Sequence, residues 1–342
     1  MRKIKVLVVE DSLVFRTLLV QNLNRDPSIE VVGAARDPFE ARDMILEYRP
    51  DVMTLDIELP RMNGLEFLRK LMPQYPIPVI VISSLSDKVF DAMHAGAVDF
   101  VAKPAVASQQ ELQQFVKNEL LVKIKIASVA RISGIKKAVP ALTEQSMNVN
   151  NNNLVVAIGA STGGTEAIAS VLKEFGADIP GVVIVQHMPP GFTDMYAKRL
   201  DDNCRVRVKE AKTGDPVRPG HVLLAPGGDA HMRLTKVNGE YQVVIRQGPR
   251  VNGHCPSVDV LFDSVASVAG NKALGIILTG MGGDGAKGLL AMRQAGARTI
   301  GQDESTCVVY GMPRVAYELG AVEYQEKLSD IAKRTYTLLN KM

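Results

Sequence analysis

Cysteine is scarce in this chain and poorly placed for crosslinking. Cys204, Cys255 and Cys307 are odd in number and far apart, which argues against a disulfide framework and for a reducing compartment. No Cys-x-x-Cys pair occurs, so a zinc site is not expected. Long apolar runs are missing as well: none approaches the roughly 20 residues needed to span a bilayer, and no membrane insertion is expected. The start, Met1-Arg2-Lys3-Ile4, enters a strand-like run without an apolar h-region or cleavage site, so no signal peptide is expected. Charge of one sign is not in excess. A formal net charge of +3 gives no footprint for nucleic acid or an anionic membrane, and no helix-turn-helix pattern adds one. These absences leave a cytoplasmic globular protein with 46% hydrophobic and 23% charged residues. Its 342 residues predict two domains.

The polar tract Asn148-Val149-Asn150-Asn151-Asn152-Asn153 cannot bury apolar surface and reads as linker. We place domains at 1–127 and 153–342, with 128–152 between them. In the first, apolar runs at 4–9, 31–35, 52–55, 79–82 and 98–102 alternate with helical spacing at 13–23, 39–48, 64–71, 89–94 and 109–126. That alternation predicts an α/β domain, a parallel sheet with helices on both faces. The second domain starts the same way, with strands at 154–158 and 182–186 and helices at 165–175 and 192–200. Its middle holds short strands at 222–225, 232–234 and 241–246, and Asn238-Gly239 signals a hairpin. A strand at 274–278, a helix at 285–295, a strand at 298–300 and two terminal helices restore the alternation. The expectation is a second parallel sheet with an antiparallel insert.

Ligands of such sheets bind outside the carboxyl ends of the strands. Glu10 and Asp11, Asp56, Ser83 and Lys103 all fall at those ends in the first domain. Clustered carboxylates without thiols suit a hard dication such as Mg²⁺. A metal beside one carboxylate can position a phosphoryl donor, and an aspartate can accept the group. Lysine then supplies a point charge and serine a hydroxyl for the phosphate.

In the second domain, Gly159-Ala160-Ser161-Thr162-Gly163 follows a strand and precedes a helix, a context that presents a serine as nucleophile on a sharp turn. A phosphate-cradling turn is the competing reading, weakened by the lack of the Gly-Lys-Ser/Thr lysine. A nucleophile needs a base and the base an orienting group. His187 follows a strand directly, as Ser161 does, whereas His94 sits on a helix and His221, His231 and His254 in turn-rich segments. Asp284 lies in Thr279-Gly280-Met281-Gly282-Gly283-Asp284-Gly285 at another strand end, where it serves as orienter or as a plain helix cap. Backbone N–H groups of that glycine-rich loop are oxyanion-donor candidates. The order Ser, His, Asp is not that of α/β-hydrolases.

Residues 1–126 resemble a response-regulator receiver domain. The resemblance implies a flavodoxin-like fold, Asp56 as phosphoacceptor, Ser83 and Phe100 as switch residues, Lys103 as phosphate partner, and Mg²⁺ on Glu10, Asp11, Asp56 and the carbonyl of Glu58. Glu10 departs from the usual aspartate pair. Residues 154–342 resemble the chemotaxis-type protein-glutamate methylesterases through Gly159–Thr165, Gln186-His187-Met188-Pro189, Ala225-Pro226-Gly227-Gly228, Pro256-Ser257-Val258-Asp259 and Thr279-Gly280-Met281-Gly282. That resemblance implies a Rossmann-like esterase domain needing no cofactor, with Ser161 as nucleophile, His187 as base, Asp284 as orienter and the Met281 amide as oxyanion donor. It implies hydrolysis of glutamate γ-methyl esters on methyl-accepting chemoreceptors, with deamidation of receptor glutamines as a side activity. It also implies a chemotaxis histidine kinase as phosphodonor, a monomer, and a receiver that covers the esterase cleft until phosphorylated. Two other readings stay open on the sequence: a receiver-controlled esterase of another signalling pathway, and a receiver joined to a non-catalytic binding regulator.

Overall fold

The computed structural model describes residues 2–84, 87–104, 108–132 and 153–342. The chain separates into two compact units, Met1–Lys136 and Lys137–Met342. Most of the stretch expected as linker, from residue 133 to 152, lies outside the described residues.

The first unit runs β1 (Ile4–Val9), α1 (Leu13–Leu23), β2 (Ile29–Ala35), α2 (Pro38–Tyr48), β3 (Val52–Asp56), α3 (Gly64–Leu71), β4 (Val79–Ser83), α4 (Lys88–His94) and β5 (Asp99–Ala102). The sheet order is β2-β1-β3-β4-β5, every pair parallel. All five residues of β3 and of β4 are buried, so both faces are covered and the runs read as continuously apolar. The long helix expected at 109–126 is α5 (Gln109–Phe115) and α6 (Leu121–Ala127) joined by a π-helical turn, where Leu121 N–H reaches the Val116 carbonyl.

The second unit begins with β6 (Val155–Ala160), α7 (Gly164–Glu174), β7 (Gly181–Gln186), α8 (Phe192–Asn203), β8 (Arg207–Glu210) and β9 (His221–Leu224). It continues through β10 (Ala230–Val237), β11 (Glu240–Gln247), α9 (Val258–Ala269), β12 (Ala273–Ile277), α10 (Ala286–Gln294), β13 (Arg298–Gln302), α11 (Met312–Glu318), β14 (Tyr324–Glu326) and α12 (Ile331–Leu339). Seven parallel strands take the order β14-β13-β12-β6-β7-β9-β8. The antiparallel pair β10–β11 stands apart, its turn at Asn238-Gly239 with φ of 50° and 87° at the two residues. Every residue of β6, β7 and β12 is buried. The two outer strands β8 and β14 and the helix α9 are additions to the sequence expectation. Helices α9, α10 and α11 pack together, as do α7, α8 and α12, which gives the two layers that cover the sheet.

Candidate functional sites at two sheet edges

In the first unit Glu10, Asp11 and Asp56 bring carboxylate oxygens within 4.8 Å of one another. Glu10 and Asp56 are buried, and Asp11 is exposed. Lys103 Nζ donates to Glu10 at 2.9 and 3.0 Å and to Asp56 at 2.5 Å. Asp56 Oδ1 accepts the Glu58 N–H at 2.9 Å. Burial, reinforced by the charge of Asp56, pushes the Glu10 carboxyl up to about 7 despite Lys103. An all-oxygen set with one solvent-facing member fits a hard dication that keeps part of its water. Ser83 is buried at the end of β4, and its carbonyl accepts the Lys103 N–H at 2.6 Å. Phe100 points inward at 3% exposure, edge-on to Phe90 with centroids 6.3 Å apart.

In the second unit Ser161 follows β6 directly. Its N–H donates to the Thr279 carbonyl at 3.0 Å, and its carbonyl accepts from Gly164 N–H at 2.7 Å. Ser161 is not among the residues with positive φ; the left-handed turn falls on Gly163, φ 77°. The backbone strain of an α/β-hydrolase nucleophile turn is therefore carried by glycine and not by the serine. His187 follows β7, and its N–H bonds the Ala160 carbonyl at 3.1 Å, so nucleophile and base leave adjacent strands side by side. One amide ties them further: Gln186 Nε2 donates to the carbonyls of both Ser161 (2.9 Å) and His187 (3.1 Å).

His187 Nε2 meets Asp284 Oδ2 at 2.9 Å, with the side chains 9% and 1% exposed. That contact places the proton on Nε2 and leaves Nδ1 with the lone pair. Nδ1 is buried and has no hydrogen-bond partner among the described residues. The structure thus joins His187 to Asp284 but draws no hydrogen bond from Ser161 to His187.

Asp284 does not cap its own helix, α10, whose N-cap is Gly285. It reaches the N-terminus of α9 instead. Its oxygens accept from Val258 N (2.7 Å), Asp259 N (3.3 Å), Ser257 Oγ (2.7 Å) and Asn252 Nδ2 (2.9 Å), besides His187. Burial opposes the charge, but His187, Asn252 and Ser257 outweigh it and hold the carboxyl well below its usual range. The positive end of a twelve-residue helix acts in the same direction.

At Met281 the peptide geometry is informative. The Gly280 carbonyl accepts from Gly311 N (3.1 Å) and Met312 N (2.7 Å). The Met281 N–H, on the same planar peptide, points to the opposite side. Met281 is 44% exposed, and a Cβ on Gly280 would lie 2.7 Å from Ser161 Cβ.

Asn252, Ser257 and His254 contact the His187–Asp284 pair, although the sequence reading gave none of them a site role. His254 stacks on His187, centroids 3.7 Å apart and planes 9° from parallel. The usable signal was Asn252-Gly253, the same hairpin dipeptide as Asn238-Gly239. His231 is a structural histidine: Nδ1 accepts Ser257 N–H at 3.1 Å and Nε2 meets the Pro249 carbonyl at 2.9 Å. His94 and His221 are exposed.

A carboxylate pocket of receiver type on one α/β unit, and a serine–histidine–aspartate edge on the other, define a receiver-linked serine-hydrolase architecture. Family comparison agrees with it. The family model described as CheB methylesterase matches residues 156–335, and that of the response regulator receiver domain matches 6–117. The chain belongs to the CheB methylesterase family. A Syntrophomonas wolfei relative, protein-glutamate methylesterase/protein-glutamine glutaminase 2, is 60% identical over 342 residues, 100% of this chain and 99% of its own. The Salmonella typhimurium protein-glutamate methylesterase/protein-glutamine glutaminase is 47% identical, covering 98% of this chain and 96% of its own. The solved Thermotoga maritima CheB methylesterase catalytic domain is 38% identical, with TM-score 0.53 over 56% of this chain and 100% of that one.

Proposed function

We propose that this chain is a phosphorylation-controlled protein-glutamate methylesterase and protein-glutamine glutaminase acting on chemoreceptors in the cytoplasm. The observation that carries the chemistry is the His187–Asp284 pair: Nε2 meets the carboxylate, Nδ1 is buried without a partner, and Ser161 and His187 follow adjacent strands. Ser161 Oγ attacks the ester carbonyl and passes its proton to His187 Nδ1. Asp284 steadies the imidazolium. The Met281 N–H, aimed away from α11, donates to the oxyanion. Collapse releases methanol, which takes the proton from His187. Water then adds to the acyl-enzyme with His187 as base, restoring Ser161 and leaving a glutamate carboxylate. A glutamine follows the same route with ammonia as leaving group. The triad is the serine-hydrolase template with the two imidazole nitrogens exchanged.

In the receiver, Asp56 accepts the phosphoryl group from a chemotaxis histidine kinase, and Ser83 and Phe100 respond to it. Glu10, Asp11, Asp56 and the Glu58 carbonyl would hold Mg²⁺. When bound, the ion neutralises charge on the phosphoryl group. Lys103 leaves its contacts with Glu10 and Asp56 to pair with the phosphate. Three free cysteines suit a reducing cytoplasm.

The test is methanol release from methylated receptor membranes. Ser161→Ala should release none while its Asp56 still takes phosphate from acetyl phosphate. Asp56→Asn should keep basal turnover and lose activation by a phosphodonor. Methanol release by Ser161→Ala would overturn the nucleophile assignment.

A further inference from the structure

The turn Val251–His254 lies outside the triad yet touches two of its members. Val251 and His254 exchange both backbone hydrogen bonds, at 3.0 and 2.9 Å. Asn252 and Gly253 carry φ of 52° and 83°, the left-handed pair of a tight two-residue hairpin turn. At one corner Asn252 Nδ2 donates to Asp284 Oδ1 (2.9 Å) and to Asp259 Oδ2 (2.7 Å). At the other corner the His254 ring covers His187, with centroids 3.7 Å apart and planes 9° from parallel. The turn is thus pinned to the carboxylate that orients the base, and its last side chain lies on the base itself.

The geometry points to His254 as a positioning residue for His187, acting through its ring face; this deepens the esterase reading above and rests on it. Two neutral aromatic rings gain most from offset or edge-on pairs with centroids roughly 4.5–7 Å apart. A close parallel stack gains most when one ring is cationic and the other offers a neutral π face. His187 becomes cationic when it takes the Ser161 proton. The stack is therefore tighter in the transition state than in the resting enzyme, and such an interaction raises kcat rather than lowering KM. It also fixes the imidazole plane. Asp284 holds one edge and His254 one face, so Nδ1 is presented in one direction.

The experiment measures kcat and KM of methanol release from methylated receptor membranes, using full-length phosphorylated protein and its His254→Ala and His254→Phe variants. His254→Ala should lose about three- to tenfold in kcat, the range of a stacked aromatic or cation–π contact, with KM little changed. His254→Phe keeps a π face and should recover most of that loss. Native kcat in His254→Ala, or a folded His254→Phe no better than His254→Ala, would overturn the proposal. Should His254→Ala not fold, His254→Leu, which keeps bulk without a π face, takes its place and should lose the same factor in kcat, whereas a Leu variant equal to the Phe variant would overturn the proposal. Ser161→Ala in the same assay separates the cases: activity there sinks the esterase reading, whereas a dead Ser161→Ala with native-like His254 variants sinks only this inference.

Discussion

Asp284→Asn is the sharpest perturbation, because the carboxylate faces donors on both oxygens. Oδ2 accepts from His187 Nε2 and Val258 N, and Oδ1 from Asn252, Ser257 and Asp259. An amide must turn its NH₂ toward one of these sets. Toward Oδ1 it would confront the Asp259 N–H, which cannot become an acceptor, and the Asn252 amide, which could offer its oxygen only by giving up its bond to Asp259 Oδ2. Toward Oδ2 it confronts Val258 N–H, but His187 adapts by moving its proton from Nε2 to Nδ1. The second arrangement costs one orphaned buried donor, about 1–3 kcal/mol. For a unit of this size that is roughly 2–4 °C of Tm per kcal/mol. The chemical cost is far larger. With the proton on Nδ1, no lone pair remains where Ser161 must deliver its own. The same exchange in serine protease triads costs ~10⁴ in kcat for the wrong-tautomer reason. Asp284→Asn should therefore melt only modestly early while methanol release falls by about four orders of magnitude. The carboxylate lies below its ordinary value of 3.8, so its stabilisation is full above that pH and is lost only as pH falls through the lower folded value. The carboxylate's share of the difference in melting between variant and native protein should thus disappear in strong acid, below the ordinary carboxylate range. A folded Asp284→Asn that keeps turnover within tenfold of native would refute the tautomer argument.

Three further outcomes follow from the same contacts. Without divalent cation, the receiver should lose stability as pH rises: Glu10, raised from 4.5 to about 7, contributes fully below 4.5 and its contribution disappears as pH passes 7. Urea melts with and without Mg²⁺ check this, and the slope should vanish in Glu10→Gln or with the cation bound. Gly280→Ala would place a Cβ 2.3 Å from Met312 Sδ and 2.7 Å from Ser161 Cβ. The displaced nucleophile should cost on the order of 10²-fold in kcat, and native kcat would contradict the close approach. Gln186→Ala removes the donor shared by the Ser161 and His187 carbonyls. It should lower kcat about tenfold or more while KM stays near native, as expected for loss of positioning, and a change confined to KM would contradict the role.

The parallel cores were readable because strands buried on both faces must be apolar throughout, as in Val155–Ala160 and Val79–Ser83. Edge strands carry no such mark. In β8, Arg207-Val208-Lys209-Glu210, only Val208 is buried, and β14 is three polar-flanked residues. Helix α9 was missed although its pattern was there to read. It carries a polar stripe at helical spacing, Asp259, Asp263 and Ser267, but the stripe is narrow and eight of its twelve residues are apolar. Its N-cap, Ser257, was the available signal, since its Oγ accepts from Val260 N. The π-helical turn at Val116–Leu120 has no residue signature at all. At the site, Ser161, His187 and Asp284 were legible from strand ends. What α9 and the Val251–His254 turn do to Asp284 and His187 was not, because those contacts join segments far apart in the chain.

The order Ser, His, Asp follows from where the two sheets change direction. From β6 the chain lays β7 beside it, then β8 at the edge and β9 between them, and afterwards returns to lay β12, β13 and β14 on the other side. The neighbouring connections therefore run over opposite faces, and a crevice opens between the carboxyl ends of β6 and β12. Ser161 leaves β6 and Asp284 follows β12, so the crevice lies between nucleophile and orienter, and His187 leaves β7 on the far side of the serine. The receiver uses the same solution. Its order reverses between β1 and β3, where Glu10 and Asp11 follow one strand and Asp56 ends the other. A helix N-terminus and backbone N–H groups are available at both crevices. The side chains decide what each does: carboxylates and a lysine make an oxygen-lined pocket for a dication and a phosphate, whereas a serine, a histidine and one buried carboxylate make a proton relay. The triad order is thus a consequence of strand order, since any sheet that starts in its middle and fills one side before the other places its first strand's serine ahead of its second strand's histidine and its return strand's aspartate.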